Sequence, residues 1–269
     1  MGQFTIPGDI PIRKSEDDEL YRSEFVDSLT EFIKELPSNH KNTVGICGPW
    51  GCGKTSIANL IKNNLNLNKE KHVVIDFDPW LFSDHTDLTR TFLLHLYKNI
   101  CSSKGKFVRS ALRNPLTRWI VDRISDRFCI GNALIDYIDS ISNYENNASV
   151  NDLKNKVSNM LKTGKNTYFI FIDDIDRLNP DEIRTIMKLV RSVADFDNVV
   201  YILMFDDIIV SKSLNSEAYD GSEYLKKIVQ YKFTVPEVNR EVLNKHLMEN
   251  YYRIVEDNDD PYHSINDVT

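Results

Sequence analysis

Residues 43–55 read TVGICGPWGCGKT. Thr43–Cys47 is short, apolar and β-branched, the composition of a strand buried on both faces. Gly48–Thr55, GPWGCGKT, satisfies G-x-x-x-x-G-K-[ST] at every position. Lys54–Leu65 then turns to helical periodicity. Strand, glycine turn and helix in that order make a phosphate cradle. The glycines let backbone N–H groups point inward, and the helix aims its positive end at the same anion. In such a loop Lys54 reaches the β- and γ-phosphates and the Thr55 hydroxyl ligates Mg²⁺. Before nucleotide arrives, the Lys54 charge is expected to face solvent.

Working outward, apolar residues at Leu20, Phe25, Leu29, Phe32, Ile33 and Leu36 predict an amphipathic helix over Glu19–Leu36. The polar residues 1–18 before it, with Pro7 and Pro11, read as an extended arm. Val73–Asp78, Tyr168–Ile172, Val199–Phe205 and Tyr231–Val235 read as further strands. Thr86–Ile100, Pro180–Val193 and Arg240–Val255 read as helices. Asn179 is placed to cap the second of these, with Pro180 in its first turn. Strands alternating with helices predict an α/β fold, a mainly parallel five-stranded sheet with helices on both faces. Residues 19–255 form the domain, 101–166 a helical insertion between the second and third predicted strands, and 256–269 an acidic tail. Glu256–Asp260 is read as turn-like.

A magnesium site needs a second oxygen ligand, and YFIFIDDIDRL supplies it. Asp173 follows the apolar run at the carboxyl end of a strand, the edge where open α/β sheets bind ligands. It is assigned to Mg²⁺. Asp174 stands where an acid would polarise attacking water, although aspartate reaches less far than glutamate; the alternative is a carboxylate capping a turn. Asp176 is expected to cap or pair locally. Arg177 is a candidate catalytic residue, contacting phosphate in this subunit or a neighbour; a salt bridge within the motif is the plainer reading. Asp206, after the fourth strand, is either a phosphate sensor or a cap. Trp50 and Trp80 are near enough to stack on a base, with packing the plainer expectation.

Taken together, these stretches resemble the KAP family of P-loop NTPases, a STAND-related group in the ASCE division. GPWGCGKTS (Gly48–Ser56) resembles its Walker A and FDPWLFSDHTDL (Phe77–Leu88) its segment after the second strand. FIDDIDRLNPDEI (Phe171–Ile183) resembles its Walker B. VVYILMFDDIIV (Val199–Val210) and YLKKIVQYKFTVP (Tyr224–Pro236) resemble its fourth strand and the segments after that strand. The resemblance implies that Gly48, Pro49, Trp50, Gly51, Cys52, Gly53, Lys54, Thr55 and Ser56 hold ATP. It also implies a Walker B strand beside the P-loop strand or one away, and a switch-like ATPase. Members include membrane-associated signalling scaffolds and bacterial phage-exclusion proteins, and many carry transmembrane helices between Walker A and Walker B. Asp78 departs from the family, which commonly has asparagine there, as does Asp207, where a basic residue is frequent.

Composition bounds the rest. Hydrophobic residues are 41% and charged residues 27% of 269, enough for a sizeable core. The net charge of −7 argues against general nucleic-acid binding. Cys47, Cys52, Cys101 and Cys129 form no C-x-x-C pair and read as free thiols, so a cytoplasmic location is expected. No secretion signal core and no stretch of about 18 apolar residues is seen. Residues 98–127 hold eight Lys or Arg against Asp122 and Asp126, with apolar residues recurring every four from Val108 to Phe128. This reads as a basic amphipathic helix. It either packs on the domain with a solvated face or meets anionic lipid, nucleic acid or a protein partner. Self-association is left open. Two functions stand: an ATPase whose hydrolysis resets a regulatory switch, with phage defence suggested by the resemblance, and a nucleotide-dependent binding or scaffold module with negligible turnover. The absence of an Asn-Lys-x-Asp motif leaves ATP favoured over GTP only by the resemblance.

Overall fold

In the computed structural model the described residues are 10–37, 40–66, 72–82, 87–103, 149–163, 166–217 and 219–258. Every strand that the sequence pattern selects is present. β1 (Asn42–Cys47), β2 (His72–Phe77), β3 (Thr167–Ile172), β4 (Val199–Phe205) and β5 (Tyr231–Thr234) form one sheet in the order β2-β3-β4-β1-β5, and every pairing is parallel. The strand that ends in Asp173 is thus separated from the strand that ends in the glycine loop by β4. Registers bring the carboxyl ends level, with Cys47 opposite Phe205 and Thr234, and Ile172 opposite Phe77 and Leu203.

Pleating sends alternate residues to opposite faces. Tyr168, Ile170 and Ile172 of β3, with Tyr201, Leu203 and Phe205 of β4, join one buried cluster. Phe169, Phe171, Val200, Ile202 and Met204 join the other. Both faces are therefore apolar, as a covered parallel sheet requires. One face is covered by α1 (Ser23–Glu35) and α2 (Lys54–Asn66), which supply Val26, Leu29, Ile33, Ile57, Leu60, Ile61 and Leu65. The other is covered by α3 (Leu88–Ser103), α4 (Val150–Thr163) and α5 (Pro180–Lys188). α6 (Asp207–Leu214) and α7 (Gly221–Lys226) lead to β5, and α8 (Arg240–Asn258) ends the described chain.

Local chemistry sets the element ends. The Asp18 carboxylate accepts from Arg22 N at 2.7 Å and Ser23 N at 2.9 Å, so α1 starts after Tyr21, which turns the chain at φ 55°, rather than at Glu19. Asn179 and Glu182 form the reciprocal capping box that opens α5. Its predicted continuation to Val193 is a π-type turn over Leu189–Val193, closed by Ala194 N on Leu189 O at 2.8 Å. α8 runs through Glu256 and Asp257 to Asn258, so the residues read as turn-like are helical that far. Of the predicted basic helix, residues 104–127 lie outside the described residues, as do 259–269 of the predicted tail. Among the described residues no helix is long and apolar enough to cross a membrane.

Candidate functional site

At the end of β1, Gly48 N donates to Phe205 O at 3.2 Å, keeping the glycine loop in line with the sheet. Cys52 N donates to Pro49 O at 3.3 Å and closes the turn. Gly51 at φ 78° and Gly53 at φ 91° lie in the left-handed region, which side chains resist. Trp50 stands at the apex with 82% of its surface exposed, so the packing expected for it does not occur. The physical reason is that a turn closed on itself gives the ring nothing to pack against. Ser56, at the other end of the predicted nucleotide-binding stretch, faces the N-terminal arm, its hydroxyl accepting from Ile12 N at 3.3 Å.

The loop is braced from beneath. Arg22, the residue before α1, donates through Nη1 to Cys52 O. A Cβ on Gly53 would stand 3.0 Å from that same Nη1. Gly53 is therefore favoured by its dihedral, and a side chain there would also displace the tip of the guanidinium by a few tenths of an ångström.

Lys54 does not face solvent. It is only 7% exposed, and its ammonium donates to Gly48 O at 2.8 Å and Pro49 O at 3.3 Å. It also meets Asp176 Oδ2 at 3.4 Å, a pair in which both side chains are buried. The expectation fails because a long ammonium can curl back onto loop carbonyls and an internal anion when no other partner is offered. The local pairing expected for Asp176 is also overturned, since its partner lies 122 residues away.

The acids after β3 divide their contacts. Asp173 N donates to Phe77 O at 3.3 Å, which fixes the strand end beside β2. Asp173 Oδ2 accepts from the Thr55 hydroxyl at 2.9 Å, while Oδ1 accepts from Asp174 N at 2.8 Å. Asp174 turns the chain at φ 55° into the short helix Ile175–Arg177. Its side chain makes no capping bond there; Oδ1 pairs with Arg177 Nε at 2.8 Å. Arg177 also lies over the Trp80 ring, 5.7 Å from its centroid, and Trp80 is 45% exposed. The bridge within the motif is thus the contact Arg177 makes, rather than one reaching into the glycine loop. Asp206 caps α6, accepting from Ile208 N at 2.9 Å, and its own N–H donates to Asp176 Oδ2 at 3.1 Å.

Crowding has an electrostatic cost. Burial, then Asp174 and Asp173, push the Asp78 carboxyl up to about 6. Burial, then Asp173, likewise raise Asp174. Cys47, beneath the loop, is pushed up to about 12, chiefly by burial, which leaves its thiol inert near neutrality.

The donor set fits magnesium. Among the described residues no group of three or more His, Cys, Asp or Glu forms a protein cage for a metal. Mg²⁺ needs none, because it keeps waters and is commonly held by one or two protein oxygens plus substrate phosphates. Thr55 and Asp173 offer two such oxygens already converged across the sheet.

Sequence reading missed Arg22 and Asp176. Asp176 is part of the same acidic run and could have been flagged as a third carboxylate on a tight turn; its partner could not. Arg22 carries no signal, since nothing in its spacing links it to Cys52, 30 residues on.

The chain matches the KAP family P-loop domain over residues 22–267. It is similar to the phage T7 exclusion protein of Escherichia coli (strain K12), 30% identical over 240 residues, covering 78% of this chain and 32% of that protein. It thus spans about a third of the length of that curated relative. Among solved structures it is similar to Cdc6p from Pyrobaculum aerophilum, with TM-score 0.47 and 13% identity over 87% of this chain and 50% of the other. It is also similar to the Aeropyrum pernix ORC2 protein in its ADPNP-ADP complexes, with TM-score 0.46 and 12% identity over 90% and 53% of the two chains.

Proposed function

We propose, on the premise that this chain belongs to the KAP family and is a nucleotide-binding P-loop NTPase, that it binds ATP with Mg²⁺ at the glycine loop and hydrolyses it as a regulatory switch. The observation that carries this reading is the meeting of Thr55 Oγ1 and Asp173 Oδ2 at 2.9 Å, beside the buried Lys54 ammonium. Two strands that are not neighbours deliver a hydroxyl and a carboxylate to one point, where phosphate and cation would share them. Bound there, Mg²⁺ would neutralise charge developing on the phosphates.

The chain's own residues then have separable tasks. Backbone N–H groups of Gly51–Thr55 and the first turn of α2 bind the phosphates. Lys54 exchanges its carboxylate partner Asp176 for phosphate oxygens. Asp174 accepts a proton from the attacking water, and its raised proton affinity suits it to that role. Arg177 must first release Asp174, either turning toward phosphate or remaining on Trp80.

A second reading, a nucleotide-dependent binding or scaffold module with negligible turnover, is favoured by that same ion pair, which occupies the candidate base at 2.8 Å. Steady-state phosphate release separates the two. Asp174→Asn is expected to leave ATP affinity within about twofold and slow release by about 10²-fold. Negligible release by the parent would favour the module, whereas parent and variant hydrolysing at one measurable rate would remove Asp174 as the base. A role in excluding phage rests on similarity to a protein of which the match covers 32%; plaque assays with the protein and its Lys54→Ala variant test it.

A further inference from the structure

Among the described residues, Lys54 and Asp176 form the one ion pair between glycine loop and acidic strand end in which both side chains are buried, 8% and 7% exposed. The Asp176 carboxylate has an unusual position. Its turn is anchored by Ile175, fully buried in the core, and by Arg177 N on Asp174 O at 3.1 Å. Oδ2 carries a second bond, from the backbone N–H of Asp206 at 3.1 Å, where β4 passes into α6. The carboxylate is thus held by backbone that belongs to neither partner's loop. Lys54, by contrast, reaches it on a flexible stem and has two carbonyls, Gly48 O and Pro49 O, to retain when it moves.

We infer that Asp176 is a positioning residue for Lys54, an internal anion that holds the ammonium retracted and partnered until a phosphate displaces it. This rests on the phosphate-binding reading of the glycine loop. A buried ammonium without an anion is costly, so a partner must be supplied in the nucleotide-free protein. Asp173 is occupied by Thr55 and Asp174 by Arg177, which leaves Asp176 for that task. A phosphate that reaches Lys54 competes with Asp176 for it and meets Asp176 as a like charge across a poorly solvated gap. The Asp206 N–H keeps the carboxylate satisfied after the lysine leaves, which makes the exchange reversible. Asp176 therefore sets the affinity for phosphate downward, and nucleotide affinity is coupled to the β4–α6 junction through one oxygen.

The test is calorimetric affinity for Mg-ATP and for AMP, whose single phosphate lies short of the β and γ positions. It uses the parent, Asp176→Asn, Asp176→Ser, Lys54→Ala and the double variant Lys54→Ala with Asp176→Asn. Asp176→Asn is expected to bind Mg-ATP about tenfold more tightly than the parent, with AMP unchanged within about twofold. The gain should vanish when Lys54 is absent. A residue that only stabilises the turn would weaken both ligands whether or not Lys54 is present, and that result overturns the inference; so does unchanged or weaker Mg-ATP binding in a folded variant. Asp176→Ser keeps an acceptor for Asp206 N–H and serves if the asparagine variant does not fold. If the parent binds neither nucleotide, the reading of the glycine loop fails first, and distinguishably.

Discussion

Asp78 is a carboxylate that the fold would rather keep protonated. Its side chain, just past the end of β2, accepts from Trp80 N at 3.1 Å and feels the charges of Asp174 and Asp173. Burial and those two neighbours raise it from 3.8 to about 6. A carboxyl raised on folding means that the native state binds more protons than the unfolded chain between those values, so stability falls as pH climbs through that window. Above both values the penalty is complete. At about 1.4 kcal/mol for each tenfold in proton affinity it reaches about 3 kcal/mol, and solvent reaching the partly exposed carboxylate lowers it to about 1.5–3 kcal/mol. Asp78→Asn removes the charge and keeps an oxygen for Trp80 N–H. Thermal unfolding of the nucleotide-free protein should show the variant melting about 3–8 °C higher at pH 7.5. At pH 5, where the parent carboxyl is already largely protonated in the fold, the gain should shrink to about half. Equal gains at both pH values, or a variant less stable at pH 7.5, would refute the electrostatic reasoning and leave Asp78 as an ordinary turn residue.

Lys54→Ala should weaken Mg-ATP binding by about 10–100-fold in calorimetry, through loss of its charge-assisted contact to phosphate. Because the lysine is buried against Asp176, the variant should also lose about 1–3 kcal/mol of stability in denaturant titration, by leaving that carboxylate without a cation. Asp173→Asn should make nucleotide affinity the same with Mg²⁺ as with a chelator present, whereas the parent should bind more tightly with the metal. Gly53→Ala should cost about 1–2 kcal/mol from the left-handed backbone alone. It should also weaken ATP binding, since Arg22 Nη1 must shift away from the new methyl; unchanged stability would mean that the loop relaxes freely.

Periodicity and motif carried the fold because they are local. Thr43–Cys47, Tyr168–Ile172 and Val199–Phe205 are too apolar and β-branched to be anything but buried strands, and the alternation of strand and helix admits few topologies. The motif also singled out Thr55 and Asp173 as candidates, and the sheet brings their side chains together although 118 residues separate them. What stayed illegible depends on who is nearest in space. No spacing tells that Arg22 supports Cys52, or that Asp176 rather than solvent receives Lys54. The exposure of Trp50 was misjudged for the opposite reason, because a large aromatic is usually buried and only the closed turn around it forbids that. Tyr21 at φ 55° shortened the first helix, and no propensity argument reports a dihedral.

The arrangement of charge at this edge bears on the form in which nucleotide would arrive. Asp78, Asp173, Asp174, Asp176 and Asp206 lie along the carboxyl ends of β2, β3 and β4, and among the described residues the cations that contact any of them there are Lys54 and Arg177. Each cation is already paired, Lys54 with Asp176 and Arg177 with Asp174. A bare polyphosphate entering such a site would gain the loop N–H groups and Lys54 but would face carboxylates left in excess. A phosphate bearing a divalent cation reverses that balance, because the Asp173 carboxylate and the Thr55 hydroxyl become ligands and the raised proton affinity of Asp78 and Asp174 is relieved by the added positive charge. Asp78 and Asp174, whose raised proton affinity marks a cost in the empty protein, would then favour the metal complex over free nucleotide. On the proposed function, the surplus of acid here is what makes nucleotide binding depend on magnesium, and Asp173 is the residue through which that dependence should be lost.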